Sequence, residues 1–378
     1  MLLGTIKQAQ PKQINVYMGL DIGSSTTKVV VKQLYGDDNY VIDFKEYGLK
    51  GESYLLPTRI SYDKENDWWF VPEIDDSADF EDLKYKFMKN EKNSAEPLTA
   101  YVAWVIKYVK EYFEEKYSKT DIFKGKEIIW NINMGIPVEQ FNEGEKEKYE
   151  TILKNAVEEY KIIEIEDLNV VPEIVATLQS LVARGNKVEG LYCAIDVGAT
   201  TLDMCTFRMF NDETGPDYSF YVTRVDLYGN NRYQESNNKE QFLEDCYSNM
   251  ICPVIWMTYD KYTKREPEWK TGLPIVLCGG GSKNEKYKNL IKRYDDEVLH
   301  RLGNENRYNG VRYVQLPDDK YICECEIDPM RLAVAQGLSY SSGELDRNLL
   351  KWNETERPYE DPDQRPLRER IEEELRYK

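Results

Sequence analysis

The chain has 378 residues, of which 41% are hydrophobic and 31% are charged, a composition typical of a folded protein with room for two domains. Its formal net charge of −18 disfavours binding to nucleic-acid backbones and to anionic membrane surfaces. The sequence has no run of about 18 apolar residues, and Met1 to Asn15 lack the apolar core of a signal peptide, so we expect a cytoplasmic protein without a membrane span.

Histidine and cysteine chemistry is limited in this sequence. His300 is the single histidine, and the seven cysteines are scattered. Cys323 and Cys325 form a C-x-C pair, but no second cysteine or histidine pair completes a zinc site, so a position in the core or on an edge strand is favoured. Any catalysis must therefore use carboxylates, lysines, hydroxyls, backbone dipoles or a bound cation.

The first strong pattern is an apolar strand over 14–20, a loop that begins Asp21-Ile-Gly23, and a returning strand over 29–31. Gly23 permits a sharp turn in which successive backbone amides converge on an anion. Asp21 would repel a phosphate, so it fits such a site only if a hydrated Mg²⁺ lies between them. The other polar side chains of the loop would add hydroxyl donors and one positive charge; they are Ser24, Ser25, Thr26 and Lys28.

The next part of the chain predicts mixed structure. Hydrophobic spacing and turn residues predict strands over 58–62 and 68–71, a helix over 97–117, a strand over 128–132, an amphipathic helix up to about 160, and a helix over 174–183. Pro172 suits the first turn of the last of these helices.

A second hairpin repeats the first one 175 positions later, with strands over 191–195 and 204–207 around Asp196-Val-Gly198. The candidate site residues that follow this glycine include two hydroxyls, and an acid stands where the first loop has its lysine; they are Ala199, Thr200, Thr201 and Asp203. Two such loops facing each other can hold a polyphosphate from both sides. The duplication therefore favours two homologous halves that share one phosphate site.

Beyond the second hairpin we expect a strand over 217–227, helical structure over 238–262, a buried strand over 274–278 and a helix over 328–337. The buried strand runs into Gly279, Gly280, Gly281 and Ser282. A backbone without side chains can approach a flat ligand closely, although a strand-to-helix turn explains three glycines equally well. From 343 the sequence is polar, with a mixed-charge helix candidate at 367–378.

The motifs resemble, in their order, those of the actin, hexokinase and DnaK-chaperone superfamily. They correspond to a first phosphate loop (21–28), a first connecting helix (171–177), a second phosphate loop (196–203), an adenosine loop (277–282) and a second connecting helix (328–337). The resemblance covers roughly residues 14–340 and implies an α/β fold of two RNase-H-like, actin-like lobes around a nucleotide cleft. Lobe I would span 14–186 with an inserted subdomain at about 37–125, lobe II 187–342, and a tail 343–378.

The resemblance implies ATP and Mg²⁺ as cofactors and slow hydrolysis of ATP to ADP, with lobe closure and opening as the output to a protein partner. Asp21 and Asp196 would hold Mg²⁺ through water, and Asp203 would support water or metal behind them. Glu173 matches the residue that orients the attacking water, although a charge at a helix start explains it as well. Asp21, Asp196 and Glu173 are thus the expected catalytic residues.

Within the superfamily, several segments resemble the nucleotide-binding domain of heat-shock-70-like proteins; they are 56–61, 83–89, 135–137, 227–230 and 328–337. The first loop departs from that group, because its Lys28 is closer to actin and to ParM proteins. Only 38 residues follow Tyr340, fewer than the family's peptide-binding module needs, so peptide chaperoning is not expected to transfer.

Three other functions remain open. An actin-like filament of the plasmid-segregation type is favoured by Lys28 and predicts ATP-dependent sedimentation. A dehydratase-activator ATPase predicts iron–sulfur absorbance from cysteines that bridge a dimer. A small-molecule kinase is weakened because no acidic sugar-binding motif is found near the junction of the lobes.

Overall fold

The computed structural model describes residues 12–142, 144–183, 189–212, 215–263, 266–302, 311–314 and 320–341, together with 343 and 345. Within these residues the protein is a mixed α/β structure, in which the strands form sheets of seven, five and two strands. The predicted helix at 367–378, nearly all of the tail, and the predicted boundary at 186/187 lie outside the described residues.

The described strands are β1 (Lys12–Ile22), β2 (Thr26–Gln33), β3 (Asn39–Val41), β4 (Leu56–Pro57), β5 (Ser61–Asp63), β6 (Trp68–Phe70), β7 (Lys126–Ile136), β8 (Ile165–Pro172), β9 (Gly190–Val197), β10 (Leu202–Asp212), β11 (Gly215–Asp226), β12 (Leu273–Cys278), β13 (Val311–Tyr313) and β14 (Tyr321–Ile322). The described α-helices are α1 (Leu83–Met88), α2 (Ala95–Tyr117), α3 (Val138–Asn142), α4 (Lys146–Glu159), α5 (Glu173–Ala183), α6 (Asn230–Glu235), α7 (Lys239–Cys246), α8 (Cys252–Met257), α9 (Glu268–Thr271), α10 (Glu285–Leu302) and α11 (Ala333–Leu338). None of them combines the length and apolar content that a membrane span requires.

The first sheet has the order β14-β3-β2-β1-β7-β8, and β4 pairs with the end of β2. β1 is antiparallel to β2 and parallel to β7. Alternate residues of β1, including Val16, Met18 and Leu20, enter one core together with apolar side chains of α2 and α4. This period of two follows from the pleat of a strand, and the apolar spacing on α2 supplies the matching helical face.

The second sheet has the order β11-β10-β9-β12-β13. Side chains on its two faces enter different cores: Cys193 and Ile195 of β9 pack with α8 and α10, whereas Tyr192 and Ala194 pack with α5. A strand that is buried on both faces has apolar residues at successive positions. This is why residues 191–195 predict a strand although apolar and polar residues do not alternate there.

Helices α5 and α11 pack against each other and connect the two sheets. A Cβ on Gly337 would lie 1.7 Å from the carbonyl oxygen of Ala176, so the helices cross in direct backbone contact. On its other side α11 packs against β1, where a Cβ on Gly19 would lie 2.0 Å from the carbonyl oxygen of Ala335. Val334 and Leu338 of the same helix enter the core below the second sheet.

Two predicted elements differ from the structure. The strand predicted at 58–62 is wrong in its first half, because pairing occurs at Leu56–Pro57 and resumes at Ser61–Asp63. The helix predicted at 328–337 is instead a 3-10 turn, Pro329–Arg331, followed by α11. Asp328 ends the preceding extended backbone, and its carboxylate accepts a hydrogen bond from the amide of Met330 at 3.2 Å. The helical segment predicted at 238–262 is confirmed, but π-helical turns follow both α7 and α8.

Candidate functional site

A cavity of about 260 Å³ lies where the β1–β2 and β9–β10 hairpins meet. The predicted site residues that line it are Asp21, Gly23, Ser24, Ser25, Thr26, Lys28, Glu173, Asp196, Gly198, Ala199, Thr200, Thr201, Asp203, Gly279, Gly280 and Gly281. Ser282 is the one predicted site residue that does not line the cavity. It is 5% exposed, and its amide donates to the carbonyl oxygen of Gly279 at 3.2 Å, which closes a turn.

The first hairpin turns tightly at Gly23, whose amide donates to the carbonyl oxygen of Thr26 at 3.1 Å. A Cβ on Gly23 would lie 2.5 Å from that oxygen, so a side chain does not fit there. Thr58 supports the loop from outside, since its hydroxyl donates to the carbonyl oxygen of Gly23 at 2.8 Å and its amide donates to that of Ser25 at 3.0 Å. Local turn chemistry and one long-range contact therefore fix the loop.

The second hairpin repeats this turn: the amide of Gly198 donates to the carbonyl oxygen of Thr201 at 2.9 Å. The start of α6 packs on this loop. The amide of Asn230 donates to the carbonyl oxygen of Gly198 at 2.9 Å, and that of Asn231 to Ala199 at 2.8 Å. Both asparagines line the cavity.

The glycine loop follows β12, which pairs in parallel with β9 so that Cys278 lies opposite Asp196. Gly279 has a φ of +85°, and a Cβ there would lie 2.0 Å from Oδ1 of Asp196. The amide of Gly281 donates to the carbonyl oxygen of Val197 at 2.8 Å. The loop is thereby attached to the strand that carries the second Asp-x-Gly sequence, and its bare backbone forms one wall of the cavity.

Two lysines bring positive charge into the cavity. Lys28 lies opposite Asp21 in the hairpin register, and its Nζ is 3.0 Å from Oδ2 of Asp21, with the side chains 15% and 8% exposed. Lys84, on α1, forms an ion pair with Glu173 at the start of α5, with the side chains 5% and 17% exposed. Each lysine therefore contacts one carboxylate of the cavity wall, in surroundings with little solvent.

Three acidic groups of the cavity favour protonation more than ordinary carboxylates do. Burial and the nearby Asp21 raise the pKa of Asp196 to about 7, although Lys28 acts in the opposite direction. Burial and Glu173 raise the pKa of Asp203 well above its usual range. Burial raises the pKa of Glu173, and Lys84 counteracts the rise. The cavity thus concentrates negative charge that a bound cation would stabilise.

The residues fit a cation held through water. Oδ1 of Asp196 is buried and has no hydrogen-bond partner among the described residues, so it can accept a hydrogen bond from a bound molecule. The same part of the chain contains no cluster of three or more acidic, cysteine or histidine side chains arranged to ligate a metal directly. Carboxylates that contact the hydration shell of Mg²⁺ need no such cluster.

Several cavity residues were not predicted as site residues. The most important are Lys84, Asn230, Asn231 and Arg331. Three of them lie in segments with a partial signal: Lys84 and Asn230 are in segments that resemble the heat-shock-70-like domain, and Arg331 is in the second connecting motif. Lys84 and Glu173 are 89 residues apart, however, and their contact depends on how α1 packs.

The C-x-C pair lies apart from the residues that line this cavity. Cys323 and Cys325 directly follow β14, are partly buried, and pack on the small core around Tyr54 and Leu332. The prediction of a core or edge-strand position therefore agrees with their surroundings.

Neither a comparison with models of known protein families nor a search among curated protein sequences finds a match to this chain. Its cavity must therefore be interpreted from the chemistry of its own residues.

Proposed function

We propose that this protein binds ATP with Mg²⁺ between two RNase-H-like lobes and hydrolyses it slowly, acting as a conformational switch of the heat-shock-70-like type. One observation carries the proposal: two hairpins with the same glycine turn and the same Asp-x-Gly sequence line a single cavity. This arrangement suits a polyphosphate, because backbone donors on two sides can bind successive phosphate groups.

The phosphate groups would lie against the amides that follow Gly23 and Gly198 in the two turns and the hydroxyls of Ser24, Thr26 and Thr201. Lys28 and Lys84, which both line the cavity, supply charge-assisted donors. The glycine loop, with its open backbone wall, would take the adenosine. Each part of the cavity would thus bind the ligand group that matches its chemistry.

Asp21 and Asp196 would hold Mg²⁺ through its water ligands. When bound, the cation neutralises charge on the triphosphate and on the leaving diphosphate. Asp196 is the better supported of the two, because its buried Oδ1 is without a partner among the described residues.

Glu173 would accept the proton of the attacking water as the water oxygen bonds to the terminal phosphorus and ADP departs. It lines the cavity at the start of α5, and burial raises its pKa toward the range in which a carboxylate is an effective base. Lys84 orients this carboxylate and counteracts the rise in its pKa.

The direct test is a thermal melt with and without ligand. ATP with Mg²⁺ should raise the melting temperature by several degrees, because a ligand bound only by the native state adds about 2.7 kcal/mol at a hundredfold excess over its Kd. Asp21→Asn and Asp196→Asn should shift ATP binding to higher Mg²⁺ concentrations. No shift with millimolar ATP, ADP or GTP would refute the proposal.

Filament formation is a second candidate, since Lys28 lines the cavity as in the actin-like and ParM-like pattern. Sedimentation at increasing protein concentration, with and without ATP, separates the two functions. A pellet that appears only with ATP above a critical concentration supports a filament, whereas an unchanged monomer supports the switch.

A further inference from the structure

Arg331 lies in the 3-10 turn before α11 and lines the cavity at its glycine-loop end. Its Nη1 donates to both carboxylate oxygens of Glu52, at 3.1 and 2.9 Å. Glu52 is 279 positions away in the chain, so this pair is formed by tertiary packing. This charge-assisted contact holds one edge of the guanidinium group against Glu52.

The opposite edge of the guanidinium is available for a ligand. Nε of Arg331 is buried and donates to no acceptor among the described residues. A Cβ on Gly280 would lie 3.5 Å from both Nε and Nη2 and 3.7 Å from Cζ. Glycine therefore leaves free the space beside the guanidinium that any other residue would begin to fill. Buried donors without a partner are rare and indicate a partner supplied by water or ligand.

A base suits this position better than a phosphate does. The phosphate-binding features are concentrated at the two hairpins, where Lys28 and Lys84 already supply positive charge. The glycine loop instead offers a flat wall without side chains. A guanidinium held in one orientation can donate a hydrogen bond in its own plane to a ring acceptor of a base, whereas a lysine ammonium is a flexible point charge without this fixed geometry.

We infer that Arg331 contacts the nucleobase, and that Glu52 positions it for this contact. The inference rests on the proposed function and extends it, since it identifies the residue that distinguishes a nucleoside triphosphate from inorganic tripolyphosphate. The base lies beside Gly280, and Nε of Arg331 donates to one of its ring acceptors.

The test compares the Kd of ATP with the Kd of tripolyphosphate, both with Mg²⁺, by titration calorimetry on the full chain. The wild type should prefer ATP. Arg331→Ala should weaken ATP binding about tenfold while tripolyphosphate binding changes by roughly twofold or less. Arg331→Lys should show the same ATP-specific loss with the charge retained. Lys283→Ala is the matched control, because this neighbouring lysine is 73% exposed and pairs with Asp328.

Glu52→Gln tests positioning separately. It should produce a smaller ATP-specific loss, and it should add little further loss when combined with Arg331→Ala, because the two residues act through one contact. A structural role alone would instead weaken ATP and tripolyphosphate alike.

The outcomes separate this inference from the proposed function. If the wild type binds neither ligand, the proposed function fails and the inference fails with it. If the wild type binds both and Arg331→Ala weakens both equally, Arg331 is a phosphate ligand and only the inference fails. Unchanged ATP affinity in both Arg331 variants would overturn the base contact while the ATP site stands.

Discussion

The β1–β2 and β9–β10 hairpins have the same backbone design but opposite electrostatics. In each, the aspartate lies across the ladder from the residue seven positions later: Asp21 opposite Lys28, and Asp196 opposite Asp203. The first pair is an ion pair at 3.0 Å. The second consists of two carboxylates whose pKa values are both raised. The first hairpin therefore balances its own charge, whereas the second places two acidic side chains opposite each other.

This difference shows how a duplicated turn can acquire two roles. Both glycine turns are closed by the same hydrogen bond, from the glycine amide to the carbonyl oxygen three residues later. The residue that ends each loop then decides which hairpin carries a lysine and which carries a second acid. Lys84, which comes from α1, adds positive charge near the acidic side.

The largest effect should come from Glu173, which belongs to neither hairpin. Glu173→Gln should slow single-turnover ATP hydrolysis by roughly 10²-fold, the scale of a general base, while ATP affinity stays within a few-fold. Glu166→Gln, at an exposed position of β8, is the control. If Glu173 served only to pair with the buried Lys84, the substitution would lower stability and leave turnover intact.

The next effect tests the asymmetry of the hairpins directly. Lys28→Ala should weaken ATP binding by about tenfold or more even at saturating Mg²⁺, because the lysine acts on phosphate directly. Asp203→Asn, at the equivalent position, should leave the affinity within a few-fold. Titration calorimetry on both variants measures the contrast, and equal losses would mean that the hairpins are electrostatically equivalent.

A smaller effect concerns pH and the ligand-free protein. Because the pKa of Asp196 is about 7 in the folded state and lower when unfolded, the folded protein holds an extra proton between about pH 4 and pH 7. This extra proton stabilises the folded protein at low pH, and the stabilisation is lost as the pH rises through 7. We expect the free energy of unfolding to fall by about 1–2 kcal/mol; this figure is reduced because solvent at the cavity wall screens the carboxylate.

Urea unfolding at a series of pH values, without Mg²⁺ or nucleotide, measures this decline as the difference between the wild type and Asp196→Asn. Asp203→Asn serves as the control in which Asp196 still titrates. A constant difference between wild type and Asp196→Asn across the series contradicts the raised pKa.

The smallest effect should come from the contact that joins α1 to α6 beside the cavity. Arg232 donates to the hydroxyl of Tyr85 at 3.1 Å and stacks on its ring. Tyr85→Phe removes the hydrogen bond and keeps the ring, so we expect a loss of about 0.5–1 kcal/mol in unfolding free energy. Tyr35→Phe is the control, because Tyr35 is 95% exposed. Equal unfolding midpoints for the two variants would show that the contact contributes nothing.

The local features of this protein can be predicted from its amino-acid sequence. Strand periodicity, the glycine turns and the 175-residue repeat located both hairpins, and the apolar run before Gly279 located β12. These features depend on neighbours in the chain, so spacing and turn chemistry are sufficient to predict them.

Contacts between groups that are distant in the chain depend on tertiary packing. Packing brings Lys84 to Glu173, Glu52 to Arg331, and the hydroxyl of Thr58 to the first glycine turn. Packing also buries Ser282, which the sequence predicted to lie at the nucleotide site. Such contacts depend on how helices and sheets pack across long loops, and no local pattern in the sequence encodes those distances.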